Sequence, residues 1–174
     1  WVGRARLVAG STHSEPDMAF VASHPEIFDM ALIDYSVVQL DREPVIRRLA
    51  EAGTGVVAGT VLGQGHLVKG KIGSLRSPAD LWYLARAWLR PSGRQLRRRS
   101  RYMRETLAAI SEMSPAQAAI AYVLGNPGIA SCVFGTTRVA NLREIVDAVD
   151  RILDDDSIQA IRRAFELPWR TPES

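Results

Sequence analysis

Cysteine is almost missing from this 174-residue sequence: Cys132 stands alone. One thiol cannot close an intramolecular disulfide or build a four-cysteine zinc site, so a reducing, cytoplasmic setting is the expectation. Long apolar runs are missing as well. Apolar residues make up 47% of the chain but stay dispersed, and no stretch approaches the roughly 18–20 residues that span a bilayer, which excludes a chain of membrane-spanning helices. The first ten residues contain Arg4 and Arg6 and are too short for the apolar core of a secretory leader. Histidine is scarce, and His13, His24 and His66 show no H-x-x-x-H or other metal-ligand spacing, so no zinc or iron site is expected. The chain also lacks an initiator methionine. It opens on Trp1, which reads as a piece of something longer or a trimmed product.

Lysine is the last scarcity. Only Lys69 and Lys71 are lysines among 22 basic residues, so the net charge of +3 is an arginine effect. Eight arginines fall between Arg86 and Arg104 with no acidic residue among them. Such a run could contact phosphates, and Trp82, Tyr83, Trp88 and Tyr102 interleave with it as in some nucleic-acid binders. The plainer reading is a solvated helical face, because Trp82, Ala85 and Leu89 recur at the spacing of a buried stripe. No nucleic-acid partner is therefore expected.

Short apolar segments alternate with helical ones. Arg6–Gly10 reads as a strand; Ser14, with Pro16 following, caps a helix that runs to about Ser23 and is stopped by His24-Pro25. Met30–Ile33 reads as a second strand. Asp41 opens a helical stretch, Pro44–Ala52, with Val45, Ile46 and Leu49 on one face and Gly53 as its stop. Gly55–Gly59 is an apolar run bounded by glycines, the pattern of a strand buried on both faces. Five glycines lie in Gly59–Gly73, followed by an arginine-rich helical insertion over 74–112 that Pro91-Ser92-Gly93 divides in two. Ser114-Pro115 starts a helix, Ala116–Leu124, with Gln117 placed for a capping box. Ser131–Phe134 is the fourth strand, Val139–Leu153 the next helix, and Asp154–Asp156 cap a final helix that ends before Pro168. The chain is thus expected to be one α/β unit over 1–174, four parallel strands with flanking helices, with its chemistry on the loops that follow the strands.

Those loops carry a family resemblance. Gly3 to Ser14 (GRARLVAGSTHS) resembles the fifth-strand segment of aldo-keto reductases, read as G-K-x-R-x-x-G-x-S-[NT]. Asp34-Tyr35-Ser36 with Leu40-Asp41-Arg42 is similar to the sixth-strand stretch, and Gly53 to Gly65 to the seventh strand with its P-L-x-x-G loop. Ser114 to Leu124 and Gly135 to Glu144 resemble the helix before the eighth strand and the cofactor loop and helix after it. The resemblance implies the C-terminal half of a (β/α)8 TIM barrel, from the fifth strand onward, that uses NADP or NAD. It implies that Ser11 and Thr12 face the nicotinamide carboxamide and that Leu62, Gly63 and Gln64 cover the pyrophosphate. Gly135, Thr136, Thr137, Asn141 and Glu144 would surround the adenosine and its 2′-phosphate, with Arg138 as a substitute charge. Where the family often has a carboxamide-holding glutamine this chain has Leu32, and Gly59 replaces a stacking aromatic. Gly135 and Asn141 stand where basic residues are frequent, and Ile145 replaces an adenine-contacting asparagine.

The family's catalytic Asp, Tyr, Lys and His lie on the first four strands, and no segment here corresponds to them. The expectation is therefore an oxidoreductase of this family carrying the cofactor-binding half, inactive by itself, acting on a small carbonyl compound when the other half is present. The alternative is a non-catalytic half-barrel that pairs as a homodimer or with a complementary half, because four strands leave two open edges. Among single residues, Tyr35 and Cys132 are read as packing and His24 as a loop residue, and His66 is the one histidine placed where a cofactor-loop contact is an alternative to a plain loop position. Gly63-Gln64-Gly65 lacks the G-K-[ST] ending of a P-loop.

Overall fold

The computed structural model describes residues 6–63, 67, 91–136 and 138–166, and for 91–98 the backbone alone. Gln64, His66, Thr137 and the Trp82–Leu89 stripe lie outside the described residues, as does the first part of the insertion, 74–90. Four strands, β1 (Ala9–Thr12), β2 (Met30–Asp34), β3 (Gly55–Gly59) and β4 (Ser131–Cys132), form one parallel sheet in chain order. The described helices are α1 (Glu15–Ala22), α2 (Glu43–Glu51, entered through a 3-10 turn at Leu40–Arg42), α3 (Pro91–Ala108), α4 (Pro115–Leu124), α5 (Val139–Val146) and α6 (Asp155–Glu166). None of them is long and apolar enough to cross a membrane.

Strand order rising in one direction, with right-handed crossovers, places every connecting helix on the same side of the sheet. The burial pattern agrees. Gly10, Ala31 and Val56 are paired neighbours across β1 to β3, as are Thr12, Ile33 and Ala58, and all six are buried under the helices. The alternate row, Ser11–Leu32–Val57–Ser131, crosses all four strands on the other face and is only half-buried or exposed. β3 is therefore covered on one face and partly open on the other, not buried on both, because the described helices supply only one layer. Below the covered face Ile46 and Leu49 of α2, Ala118, Ala119 and Ile120 of α4, and Ile161 of α6 close the core. α3 joins it through buried Met103 and Leu107 and packs on α4 and α6.

Local signals formed the expected ends. Ser14 Oγ accepts from Asp17 N ahead of α1, and Gly53, at φ +84°, ends α2 with its N–H on Ala50 O. Ser114 makes a complete capping box with Gln117, and Asp154 Oδ1 accepts from Ser157 N at α6; hydrogen bonding to the Ser157 side chain first, and to its backbone N–H, holds that exposed carboxyl below its usual range.

Three boundaries differ. The first strand is Ala9–Thr12 rather than Arg6–Gly10, since pairing with β2 selects the register and Gly10 sits mid-strand. A Cβ on Gly10 would lie 2.7 Å from Val21 Cγ2, so this glycine admits α1 to the sheet instead of ending the strand. β4 is regular only over Ser131–Cys132, although Val133 N still donates to Ala58 O at 2.8 Å. The helix expected over Val139–Leu153 ends at Val146; beyond it Ala148, Val149 and Arg151 bond three residues back instead of four.

Candidate functional site

All four strands deliver their C-terminal ends to one side, where loops from Thr12, Asp34, Gly59 and Cys132 gather. On β1, Ser11 and Thr12 alternate: Ser11 is exposed on the open face, whereas Thr12 is buried toward the helices and its Oγ1 donates to Leu32 O at 3.1 Å. Only Ser11 of the pair has a hydroxyl directed away from the packed layer. Next to it His13, 71% exposed, shares a 2.9 Å Nδ1–Oδ2 contact with Asp34. Arg42 ties the two loops together by donating to Asp34 O and, at 3.5 Å, to His13 O. None of these contacts was visible in a single motif, because His13 and Asp34 stand 21 residues apart.

After β3 the chain turns tightly. Thr60 (φ 51°) and Gly63 (φ 57°) both take the left-handed conformation, and Gly63 N donates to Thr60 O at 2.7 Å. Leu62 is half-buried in this turn, and Gly63 is buried against Leu67. Beyond β4, Gly135 borders open space, with no atom within 4 Å of where a Cβ would stand. Thr136 Oγ1 accepts from Arg138 N at 3.2 Å, and Arg138, Asn141 and Thr136 are all exposed. Arg138 enters α5 without a side-chain cap, and the first turn of α5 holds no acidic residue. Its leading N–H groups are thus open to an anion. Glu144 is engaged elsewhere. Ser114 Oγ donates to its Oε1, and Gln117 Nε2 donates to its backbone oxygen at 3.2 Å, which locks α5 onto the start of α4.

The structure therefore brings the β3 and β4 loops side by side and leaves Ser11 at the far edge strand, ~14 Å away at three strand spacings. Among the described residues no group of three or more His, Cys, Asp or Glu could hold a metal ion. Cys132 is half-buried, and burial pushes its thiol pKa up, away from nucleophilic use.

A polar network behind the strand ends was not foreseen. Tyr35 and Tyr122 both donate to Glu43 Oε1, at 3.0 and 3.1 Å; Asn126 Nδ2 donates to the Tyr35 hydroxyl at 3.2 Å, and Arg162 pairs with Glu43 Oε2 at 3.0 Å. Tyr35 is 0% exposed. Burial is the main cause that raises both phenol pKa values, with the charge of Glu43 adding to it, so these hydroxyls stay protonated and serve packing. The partners come from four separated segments, so no local spacing could have announced them.

A singly wound parallel sheet with helices on one face and open glycine-bearing loops at the strand ends is the architecture of a (β/α)-barrel domain. The chain belongs to the Aldo/keto reductase family, whose sequence profile matches residues 3–166. Solved structures agree on the fold. Aldo-keto reductase AKR11C1 from Bacillus halodurans in its holo form superposes with a TM-score of 0.60 at 16% identity, over 83% of this chain and 46% of that one. Thermostable aldo-keto reductase Tm1743, in complex with the inhibitor epalrestat, gives 0.60 at 15% identity over 91% and 48%. The chain thus spans about half the length of these structures. No curated protein sequence matches it.

Proposed function

We propose that this chain is the cofactor-binding half, fifth strand onward, of an NAD(P)H-dependent carbonyl reductase. The observation that carries the reading is the uncapped, acid-free N-terminus of α5, opening beside the Thr60–Gly63 turn with free space at Gly135. Backbone N–H groups and a positive helix end suit a phosphate there. An extended dinucleotide laid across the strand ends would run from Arg138, Asn141 and Thr136, past Leu62 and Gly63, toward Ser11. Thr12 and Glu144 contribute by positioning, since their polar atoms are already bonded. The cofactor, when bound, supplies hydride to a carbonyl carbon. The proton for the carbonyl oxygen comes from outside this chain, where the family's catalytic residues lie, so the 174-residue polypeptide alone is expected to show no turnover.

Titration of the chain with NADPH and NADH, followed by calorimetry, tests the site. Ala140→Glu, which sets a negative charge in the exposed first turn of α5, should weaken binding about tenfold while leaving helix content intact. Unchanged affinity in that variant, or aldehyde reduction by the chain alone, would refute the reading.

A partner is favoured by a separate observation. Exposed apolar side chains collect along the two open edges: Leu7, Val8, Phe20 and Ile27 beside β1, and Val133, Val139, Leu142 and Val146 beside β4. A complementary half-barrel or a second copy would cover both seams and the half-open sheet face. Sedimentation of the chain separates these outcomes: a dimer supports self-pairing, and a monodisperse monomer at high concentration opposes it.

A further inference from the structure

Outside the strand-end loops, α2, α4 and α6 with the segment 149–153 border an open cleft of about 1030 Å³. No described residue of the cofactor reading lines it, so the inference is independent of that reading. Its base is the Glu43 network, whose carboxylate is already occupied by two tyrosines and neutralised by Arg162. Its apolar lining ends in two side chains that folding has left in water: Val149, 57% exposed, and Ile152, 89% exposed. Leu153 beside them is buried.

Charge on the rim is unbalanced in one direction. Arg47 on α2 has no ion-pair partner among the described residues. Arg151, in the segment 149–153, gives its Nη1 to Glu112 O at 2.9 Å, a neutral acceptor that leaves the guanidinium charge uncompensated. Among the described residues that line the cleft, Glu51 is the one remaining acid, and it is not within pairing distance of either arginine. With Arg162 and Glu43 cancelling, two cations face one anion. The volume is that of a small-molecule site rather than of a macromolecular groove.

We propose that this cleft binds an amphipathic monoanion, its apolar or aromatic body resting on Val149, Ile152 and Leu153 and its carboxylate held between Arg47 and Arg151. An arginine pair suits a carboxylate because each guanidinium offers paired, planar donors. Burying the ligand's body would also take the Ile152 side chain out of water.

The probes are 4-phenylbutyrate and decanoate, titrated into the full chain by calorimetry, with 4-phenylbutan-1-ol and decan-1-ol as uncharged counterparts. Both acids should bind at one saturable site, and the alcohols about tenfold more weakly, as should the acids to an Arg47→Glu/Arg151→Glu variant. Glu51→Gln should tighten binding of the acids, and added salt should weaken it. Val133→Asp, at the β4 edge and away from the cleft, should change nothing. Every substituted residue is exposed, and far-UV circular dichroism checks that each variant folds. The proposal falls if neither acid saturates below about 10 mM, if alcohols bind as tightly as acids, or if the charge reversals leave affinity unchanged. It also falls if Val133→Asp abolishes binding, which would move the ligand to the open sheet edge, or if a second copy of the chain fills the cleft.

Discussion

Removing the Glu43 carboxylate should unfold this protein more readily than any comparable change on its surface. In Glu43→Ala, two hydroxyls lose their acceptor at once, Tyr35 at 0% exposure and Tyr122 at 6%. A buried donor left unsatisfied costs about 1–3 kcal/mol. Both tyrosines border the cleft, but Tyr122 is the more exposed of the two and recovers more of this from water than Tyr35. Arg162 is half-exposed, so loss of its pair adds at most about 1 kcal/mol. The sum is about 2–4 kcal/mol, a large share of the roughly 5–15 kcal/mol that holds a domain together. Urea unfolding followed by far-UV circular dichroism should show the midpoint falling by about 1–3 M with an unchanged slope. The decisive comparison is the same substitution in a Tyr35→Phe/Tyr122→Phe background. With no buried hydroxyl left to strand, Glu43→Ala should then cost less than about 1.5 kcal/mol. Equal costs in the two backgrounds would show that Glu43 acts through packing or helix entry, and the network account would be wrong.

Three further outcomes follow from other contacts. Both phenols have raised folded-state pKa values, so the unfolded chain loses those protons near pH 10 while the folded chain keeps them; stability is full below that pH and should fall above it, by up to about 2.7 kcal/mol per pH unit for the pair. Urea midpoints at pH 10 and 11 should diverge less for Tyr35→Phe/Tyr122→Phe than for the parent chain, and parallel curves would count against it. Gly10→Ala places a Cβ at 2.7 Å from Val21 Cγ2 and should cost about 1–3 kcal/mol, relieved by adding Val21→Ala, as read from thermal melts of both variants. Ser114→Ala removes the capping box of α4 and the hydroxyl that holds Glu144, and should lower stability by about 1–2 kcal/mol; a melting temperature identical to the parent would mean that the cap is idle.

What the sequence alone determined was local. Ser14, Gly53, Ser114 with Gln117, and Asp154 act within a few residues of their own backbone, so their roles could be read from spacing and are the ones observed. Gly55–Gly59 was legible for the same reason: glycines bound a short apolar run. Order along the chain also carried the candidate cofactor loops and the family. What only the tertiary structure decided involves partners that no short window contains. Pairing with β2, not composition, set the bounds of β1, and contact with Val21 turned Gly10 from an apparent stop into a packing residue. Thr12 and Glu144 had the right chemistry for a cofactor, but each had already committed its polar group to a distant neighbour. Glu43 meets Tyr35 from 8 residues away, Tyr122 from 79 and Arg162 from 119. Such contacts exist only once the helices have been laid on one face of the sheet, because hydrogen bonds act over about 3 Å and the sequence records no distances.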